Sequence, residues 1–294
     1  MSNHGILAEI RADAAAVLGA ELPSITIARA VIGVYFTGVA LSTGTAGASA
    51  TPARSEMHAA CCPSTADTVV SPGTLRGQRA MDVLDELASP YKLRRGIAVA
   101  TLNALADACW QRRPNAAVVL QAGVDAFDAA AIEPAEHVVL VGAFVPFLHA
   151  LKRMRQDYTV LELNSAMLKP DELPHFRPAA EAGAVMPMGD VVLLTGSALL
   201  NDTLEDLLRL ARPGARVVVV GPTVGLLPDA FLRRGVTIMG GVRVTQPAAF
   251  LDVLAEGGSH QHFLGRSAER VVLARNQGGA AGRDRLAVDA DVVP

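Results

Sequence analysis

Five short apolar runs in the second half of this 294-residue chain constrain its fold more than any other feature. Helical segments at 146–156, 203–211 and 227–234 alternate with the runs VVLVG, TVLEL, VVLLTG, RVVVVGP and VTIMGG. Strands that are apolar along their whole length and separated by helices are typical of a parallel sheet covered on both faces. The sequence therefore predicts an α/β domain, to which we assign residues 116–270.

The first part of the chain has a different pattern. Residues 1–22 are predicted to form an amphipathic helix, and residues 25–52 contain three short β segments separated by glycine-rich turns. Two helical stretches follow, near 77–88 and 95–110. Strands followed by helices indicate a separate, smaller α+β domain, which we assign to residues 1–115.

Charge and composition exclude several classes of partner. The net charge is −3 with both signs mixed along the chain, so no basic surface for nucleic acid is expected. The most apolar stretch, ITIARAVIGVYFTGVALSTG, is interrupted by Arg29 and glycines and should not span a bilayer. The N-terminus does not resemble a secretory signal, and three cysteines do not form a disulfide framework. We expect a cytoplasmic protein, for which the alanine-rich composition is compatible with a homodimer, and a mobile tail at 271–294.

The junction at Gly142 has the position of a dinucleotide-binding corner but lacks its glycines. A predicted strand ends there, and Pro146 suits the start of the helix that follows. The Gly-x-Gly-x-x-Gly template places Phe144 and Phe147 at its second and third glycines. These side chains should block the close backbone approach that a pyrophosphate requires, so we do not expect a classical NAD-dependent dehydrogenase. A sheet that no longer binds any ligand is the alternative.

Polar residues follow the ends of the other predicted strands, where an α/β sheet binds ligands. Glu162 lies 20 residues after Gly142, the spacing at which an acid binds ribose hydroxyls, although a solvated strand-end carboxylate is the alternative. Asn201 could orient a substrate, or it could belong only to a turn in which Asp202 and Glu205 form a capping box. Further candidates with backbone or hydroxyl groups are Thr195, Gly196, Ser197 and Thr223.

These stretches together resemble the putative heavy-metal chelation domain family, in which a Rossmann-like domain follows a small domain similar to the enolase N-terminal fold. The resemblance covers about residues 20–258. The matching stretches are GVYFTGVALST, RRGIAVATLNAL, VVLVGAFVPF, YTVLELN, DVVLLTGSALLNDTLEDLL and ARVVVVGPTVGLLPDAFLRRGVTIMGGVRVTQP. It implies an α/β fold with a Rossmann-like, mostly parallel sheet, helices on both faces, and a smaller enolase N-terminal-like α+β domain in front.

The resemblance also implies a site where the front domain meets the carboxyl edge of the sheet. Its chemistry would be condensation or hydrolysis of a pterin-, flavin- or siderophore-like molecule tied to heavy-metal handling, with a nucleoside, S-adenosyl or pterin-like compound bound. Asn103 and Thr101 would face the site from the front domain, unless Asn103 is simply a polar contact between domains. On the other side would lie Gly142, Phe144, Glu162, Thr195, Gly196, Ser197, Asn201 and Thr223, with Asn103, Glu162 and Asn201 as catalytic candidates and the phenylalanines against a flat ring.

A metal site is the second hypothesis. The loop EMHAACCPST offers His58, Cys61 and Cys62, which are soft ligands, and would suit a non-catalytic metal-binding or metal-delivery protein. Adjacent cysteines rarely bind one ion without strain, and a closed zinc site needs a fourth ligand. His260 and His262 could contribute only if the end of the chain folds back. The residues therefore favour a small-molecule pocket, and an interaction scaffold with a vestigial pocket is a third hypothesis.

Overall fold

The computed structural model describes residues 5–52 and 71–276, which form two sheets and the helices around them. The helices are α1 Gly5–Leu18, α2 Ala80–Leu84, α3 Lys92–Arg112, α4 Ala126–Ala129, α5 Val145–Met154, α6 Ala182–Val185, α7 Leu204–Leu210, α8 Asp229–Leu232, α9 Pro247–Ala255 and α10 His260–Phe263. The strands are β1 Ile27–Ile32, β2 Phe36–Leu41, β3 Ala46–Ala50, β4 Val118–Ala122, β5 His137–Val141, β6 Asp157–Glu162, β7 Phe176–Pro178, β8 Val191–Thr195, β9 Arg216–Val220, β10 Val236–Val244 and β11 Ala268–Arg275.

The small sheet is the antiparallel meander β1-β2-β3, and it is covered by helices on both faces. Val39 and Leu41 pack toward α3, whereas Ala40 shares a cluster with Phe250 and Leu251 of α9. At Gly47 the backbone of α3 lies so close that a Cβ would be 2.3 Å from the amide nitrogen of Ala104. Only glycine allows this approach, which fixes α3 directly on the sheet.

The strands β1 and β2 also account for the most apolar stretch of the sequence. β2 is buried from Thr37 to Leu41 between the helices on the two faces, whereas β1 is exposed at Ala28, Arg29 and Ile32. Among the described helices, none is both long and apolar enough to cross a bilayer.

The large sheet has the strand order β4-β11-β10-β9-β8-β5-β6-β7, and only β11 runs antiparallel to its neighbours. From β5 the chain proceeds outward to β7, then returns to place β8 on the other side of β5 and continues to β10. The direction of winding therefore reverses between β5 and β8. Ligands of doubly wound sheets bind at the carboxyl ends of the two strands that flank such a switch point.

Side-chain alternation along the large sheet divides its core into two layers. Val138 and Leu140 pack with α4 and α5 on one face, and Val139 packs on the other face with residues of α6, α7 and α8. All three are completely buried, and each such side chain contributes about 1.5–3 kcal/mol. The predicted α/β fold with a mostly parallel sheet and helices on both faces is confirmed.

Two boundaries differ from the sequence prediction. Residues 118–122, for which no strand was predicted, form the edge strand β4, which pairs with β11 and is only partly buried. Because β11 ends at Arg275, residues 271–275 belong to the sheet and not to the predicted tail. The rest of that tail, residues 277–294, lies outside the described residues.

Candidate functional site

Two cavities lie side by side at the carboxyl edge of the large sheet. The first, which we call the acid cavity, has a volume of about 380 Å³, and the second, which we call the interdomain cavity, has a volume of about 260 Å³. Both are lined by Phe144, which follows β5, by Thr195 at the end of β8, and by Ser197 just after β8. Residues that distinguish the acid cavity are Gly142, Glu162 and Asn201, and those that distinguish the interdomain cavity are Phe36, Ala50, Thr223, His260 and Arg270.

The β5–α5 corner uses its backbone donors within the protein. Gly142 has φ +96°, a conformation that favours glycine, and its N–H donates to the carbonyl of Leu161 at 2.9 Å. The next two N–H groups donate to the Glu162 carboxylate and to the Gly142 carbonyl, and Pro146 has none. The N–H groups of Gly142, Ala143 and Phe144 are therefore used within the protein and are not available to hold a phosphate.

The two phenylalanines at this corner pack on each other. Phe144 stacks on Phe147 with ring centroids 5.2 Å apart, and Phe147 contacts Phe127 at 5.1 Å. Phe147 is buried, whereas Phe144 is half-buried and lines both cavities. Phe144 thus presents an apolar surface where a pyrophosphate would otherwise lie.

Glu162 ends β6 with its carboxylate at the wall of the acid cavity. Its Oε2 accepts from the N–H of Ala143 at 2.8 Å, and its Oε1 accepts from Leu163 at 2.7 Å and Asn164 at 3.3 Å. An ionised carboxylate has roughly four acceptor positions, so about one is left for a ligand hydroxyl. The three bonds fix the orientation of the side chain, which is half-buried and not turned into bulk water.

The segment after β8 supplies polar groups with unused hydrogen-bonding capacity. Thr195 Oγ1 accepts from the N–H of Ser197 at 3.1 Å. No described residue hydrogen-bonds the Ser197 hydroxyl or the Asn201 side-chain amide, and both line the acid cavity. The expected capping box is wrong, because α7 begins at Leu204 and Asp202 has φ +61°, which does not suit an N-cap. Asn201 is therefore not explained by that cap.

The predicted front-domain residues do not line either cavity. Thr101, expected to face the site, is completely buried, and its hydroxyl donates to the carbonyl of Ile97 at 2.9 Å, so that expectation is wrong. Asn103 Nδ2 donates to the carbonyls of Ala48 at 2.8 Å and Thr223 at 2.9 Å. The amide therefore joins the front sheet to the large-sheet domain, which is the alternative that the sequence left open for Asn103.

Thr223 and Gly196 have mainly structural surroundings. Thr223 is 2% exposed, and its hydroxyl accepts from the N–H of Ala50 at 3.0 Å while it touches the interdomain cavity. Gly196 is buried against Val224 and lines neither of the two cavities. Of the residues predicted around the Rossmann edge, the structure brings six to the acid cavity or its wall: Gly142, Phe144, Glu162, Thr195, Ser197 and Asn201.

Two charged residues near the cavities, Arg95 and Arg270, were not singled out from the sequence, and His260 was considered only as a metal ligand. Arg95 of α3 is 6% exposed and donates to the carbonyls of Ser89 at 3.1 Å and Leu200 at 3.0 Å, which holds the segment that carries Asn201. Burial lowers the pKa of its guanidinium, and the nearby Asp202 carboxylate partly offsets that effect. His260 of α10 and Arg270 of β11 line the interdomain cavity, and the strand order of the folded sheet brings Arg270 there.

The predicted metal ligands His58, Cys61 and Cys62 lie outside the described residues. Within residues 5–52 and 71–276, no group of three or more His, Cys, Asp or Glu side chains is arranged to hold a metal ion. The ring of His262 accepts from the N–H of Ser259 at 3.0 Å as part of a helix cap. Burial raises the pKa of the Cys109 thiol to about 11, so this thiol is unreactive at neutral pH.

Relatives in sequence cover most of the chain. Residues 125–273 match the DUF364 family and residues 15–106 match the DUF4213 family, both described as putative heavy-metal chelation. An uncharacterized protein of Methanocaldococcus jannaschii is 29% identical over 131 residues, which are 44% of this chain. The match spans 49% of the length of that relative.

Two solved structures of DUF364 family proteins with unknown function share the fold. The protein of Pyrococcus horikoshii superposes with a TM-score of 0.69 at 19% identity, covering 91% of this chain and 98% of its own. The protein of Desulfitobacterium hafniense has a TM-score of 0.69 at 17% identity, covering 91% and 100%. At these identities the likeness establishes the fold alone. With one family model matched over half of the chain and the other over most of the remainder, this protein belongs to the family described as putative heavy-metal chelation.

Proposed function

We propose that this protein binds a small, ring-bearing molecule at the carboxyl edge of its large sheet and makes or processes a metal-chelating compound. The observation that supports the proposal is the acid cavity at the switch point, where an oriented Glu162 carboxylate faces the same space as Ser197 and Asn201. A mostly apolar pocket with a few polar groups that lack protein partners is the usual form of a small-molecule site.

The size and walls of the cavity favour a compact ring system. Its volume of about 380 Å³ lies near the lower end of the range for ligand pockets, about 300–1,000 Å³. Phe144 offers a ring face, and the N–H groups of Gly142, Ala143 and Phe144 are already used within the protein, which disfavours a diphosphate at this corner. A pterin, flavin-type ring or nucleoside fits these properties better than a dinucleotide.

The polar groups have separable tasks in this proposal. Glu162 accepts a hydrogen bond from one ligand hydroxyl or ring N–H, because roughly one of its acceptor positions is left. The Asn201 amide donates to and accepts from the ring edge, and the Ser197 hydroxyl lies where the two cavities meet. If the reaction is a condensation or hydrolysis, these groups orient the substrate and Asn103 acts only through the position of the front domain.

The link to metals rests on the family description. In this proposal the metal is bound by the compound that the protein makes or processes, and it is not a cofactor of the protein. A compound built on a pterin, flavin or siderophore-like scaffold chelates metal through its own oxygen and nitrogen atoms. The polypeptide then needs a pocket for that scaffold, which the acid cavity supplies.

Thermal-shift screening tests the proposal with nucleosides, S-adenosyl compounds, pterins and flavins. We expect at least one class to raise the Tm of the wild-type protein, and Glu162→Gln to abolish that rise. Because Glu162→Gln also loses backbone hydrogen bonds, each shift is measured against the same variant without compound. Glu181→Gln, an exposed acid outside both cavities, is the matched control and should respond as wild type does. If no compound stabilises the protein, or if Glu162→Gln retains the full shift, the proposal is wrong.

A further inference from the structure

The interdomain cavity differs from the acid cavity in its charged groups. The charged or titratable side chains that line it are Asp125, which precedes α4, His260 at the start of α10, and Arg270 of β11. Phe36 of the small sheet and Phe144 line the same space. The cavity therefore combines apolar surfaces with one guanidinium, which is a different kind of recognition from that at Glu162.

Arg270 has hydrogen-bonding capacity that folding does not use. Its Nε lies 3.4 Å from Asp125 Oδ2, while Asp125 Oδ1 accepts from the N–H of Phe127 at 2.9 Å and so caps α4. No described residue hydrogen-bonds the two terminal nitrogens of Arg270. Its side chain is 50% exposed, and such a pair contributes only about 0–1 kcal/mol to stability. The planar fork of an arginine matches the two oxygens of a carboxylate.

The positive charge in the interdomain cavity comes from Arg270 and not from His260. Burial lowers the pKa of the His260 ring, and the nearby Arg270 and His262 lower it further. The ring is therefore neutral at pH 7, and no described residue hydrogen-bonds it, so it offers one donor and one acceptor to the cavity. A neutral ring beside a guanidinium does not compete with an anion for the positive charge.

The distance between the two recognition groups separates them into two subsites. Glu162 ends β6 and Arg270 lies on β11, and the sheet order places four strands between these two. At about 4.8 Å per strand step, the two backbones are roughly 24 Å apart. The two side chains therefore do not bind the same end of a small molecule.

We infer that the interdomain cavity is a subsite for an aromatic carboxylate, whose carboxylate is bound by the terminal nitrogens of Arg270 and whose ring lies against Phe36 and Phe144. The inference rests on the proposed function in treating the two cavities as one ligand site. It adds a second recognition element, specific for a negative group, that the family description does not contain. The ring of the compound approaches Ser197, where the two cavities meet.

Calorimetric titration at constant ionic strength tests this with matched pairs of probes, nicotinate with nicotinamide and naphthoate with naphthamide. We expect the wild-type protein to bind the carboxylates more tightly than the amides. Arg270→Met should weaken carboxylate binding about 10- to 100-fold, as expected for loss of a charge-assisted bidentate pair, and leave amide binding unchanged. Arg266→Met, an exposed arginine nearby that does not line the cavity, is the control and should bind like wild type.

The outcomes separate this inference from the proposed function. If Arg270→Met binds the carboxylates as wild type does, or if wild type binds no carboxylate while a Glu162-dependent compound does bind, the subsite does not exist and the acid cavity stands alone. If the carboxylates bind in an Arg270-dependent way but no compound depends on Glu162, the subsite stands and the proposed role of the acid cavity fails. Equal Tm values for Arg270→Met and wild type without probe confirm that the variant is folded.

Discussion

The junction between the two domains and the acid cavity contain similar polar side chains but use them differently. At the junction, Asn103 and Arg95 each donate to two backbone carbonyls, and Asp107 accepts from Arg243 at 3.1 Å. In the acid cavity, Ser197 and Asn201 have side-chain groups that no described residue hydrogen-bonds. Residue type does not distinguish the two groups. Polar residues that hold the domains together have hydrogen-bond partners within the protein, whereas those available to a ligand do not.

The two asparagines illustrate the contrast most clearly. Asn103 lies in the middle of α3, a poor position for asparagine, and its amide bridges β3 to the turn after β9. Asn201 lies in a turn, and its amide faces the acid cavity. We therefore expect substitution of Asn103 to lower stability and substitution of Asn201 to lower ligand affinity.

The largest expected effect is on the junction. Arg95→Met removes a buried guanidinium and leaves the carbonyls of Ser89 and Leu200 without their donor, so we expect the free energy of unfolding to fall by about 3 kcal/mol. Urea denaturation measures the change, and Arg79→Met, an exposed arginine, is the control. A loss below about 1 kcal/mol would mean that the junction does not depend on this residue.

Asn103→Leu should destabilise the protein by about 2 kcal/mol, because the carbonyls of Ala48 and Thr223 lose their shared donor. Ligand affinity of the remaining folded protein should not change. Urea denaturation and titration of the same preparation measure the two quantities. If Asn103→Leu keeps its stability but loses ligand binding, Asn103 is a site residue, and the proposed difference between Asn103 and Asn201 is wrong.

Asn201→Ala and Ser197→Ala should show the opposite behaviour. Because no described residue hydrogen-bonds either side-chain group, we expect stability to stay within about 0.5 kcal/mol of wild type. Affinity for a compound that binds the acid cavity should fall about tenfold for each lost hydrogen bond. A large loss of stability with unchanged affinity would place these residues with the junction.

The smallest effect concerns the ion pairs that Glu9 of α1 forms with Arg233 and Arg234, which directly follow α8. Hydrogen bonds from Arg234 and Arg233 lower the pKa of Glu9 to about 2. The stabilisation is therefore complete above the unfolded pKa near 4.5 and is lost as the pH falls toward 2. Glu9→Gln should be less stable than wild type at pH 7, by about 1 kcal/mol because solvent screens the 38%-exposed Glu9, and this difference should shrink below pH 4.5. A difference that is constant with pH, measured by urea denaturation, would rule out this contribution.

The large sheet and its carboxyl edge were predictable because they follow from local patterns. Continuous apolar runs identify strands buried on both faces, and their carboxyl ends place Glu162, Thr195 and Ser197 at one edge. The sequence also identified Phe144 and Phe147, because they occupy the positions of the second and third glycines of the dinucleotide-binding template. The edge strand β4 was not predicted, although it begins with the apolar residues VVL, because it is short, only partly buried and paired with β11 alone.

The sequence could not show which α3 side chains face the core and which face the junction between the domains. Nearly every residue from Arg95 to Cys109 is buried, so the helix has no polar face from which to deduce its orientation. Thr101 and Asn103 are two positions apart and therefore point in different directions, one into the core and one to the junction. Arg270 was equally inaccessible, because β11 inserts between β10 and β4 and no local pattern encodes that strand order.

The most direct test of the central claim is a crystal structure of the protein with the compound that gives the largest thermal shift. Our account predicts the ring of the compound against Phe144 and one of its hydroxyl or N–H groups within about 2.6–3.0 Å of the Glu162 carboxylate. The backbone bonds from Ala143, Leu163 and Asn164 to that carboxylate should remain in place. A compound bound away from the carboxyl edge, with Glu162 making only its backbone contacts, would contradict the account.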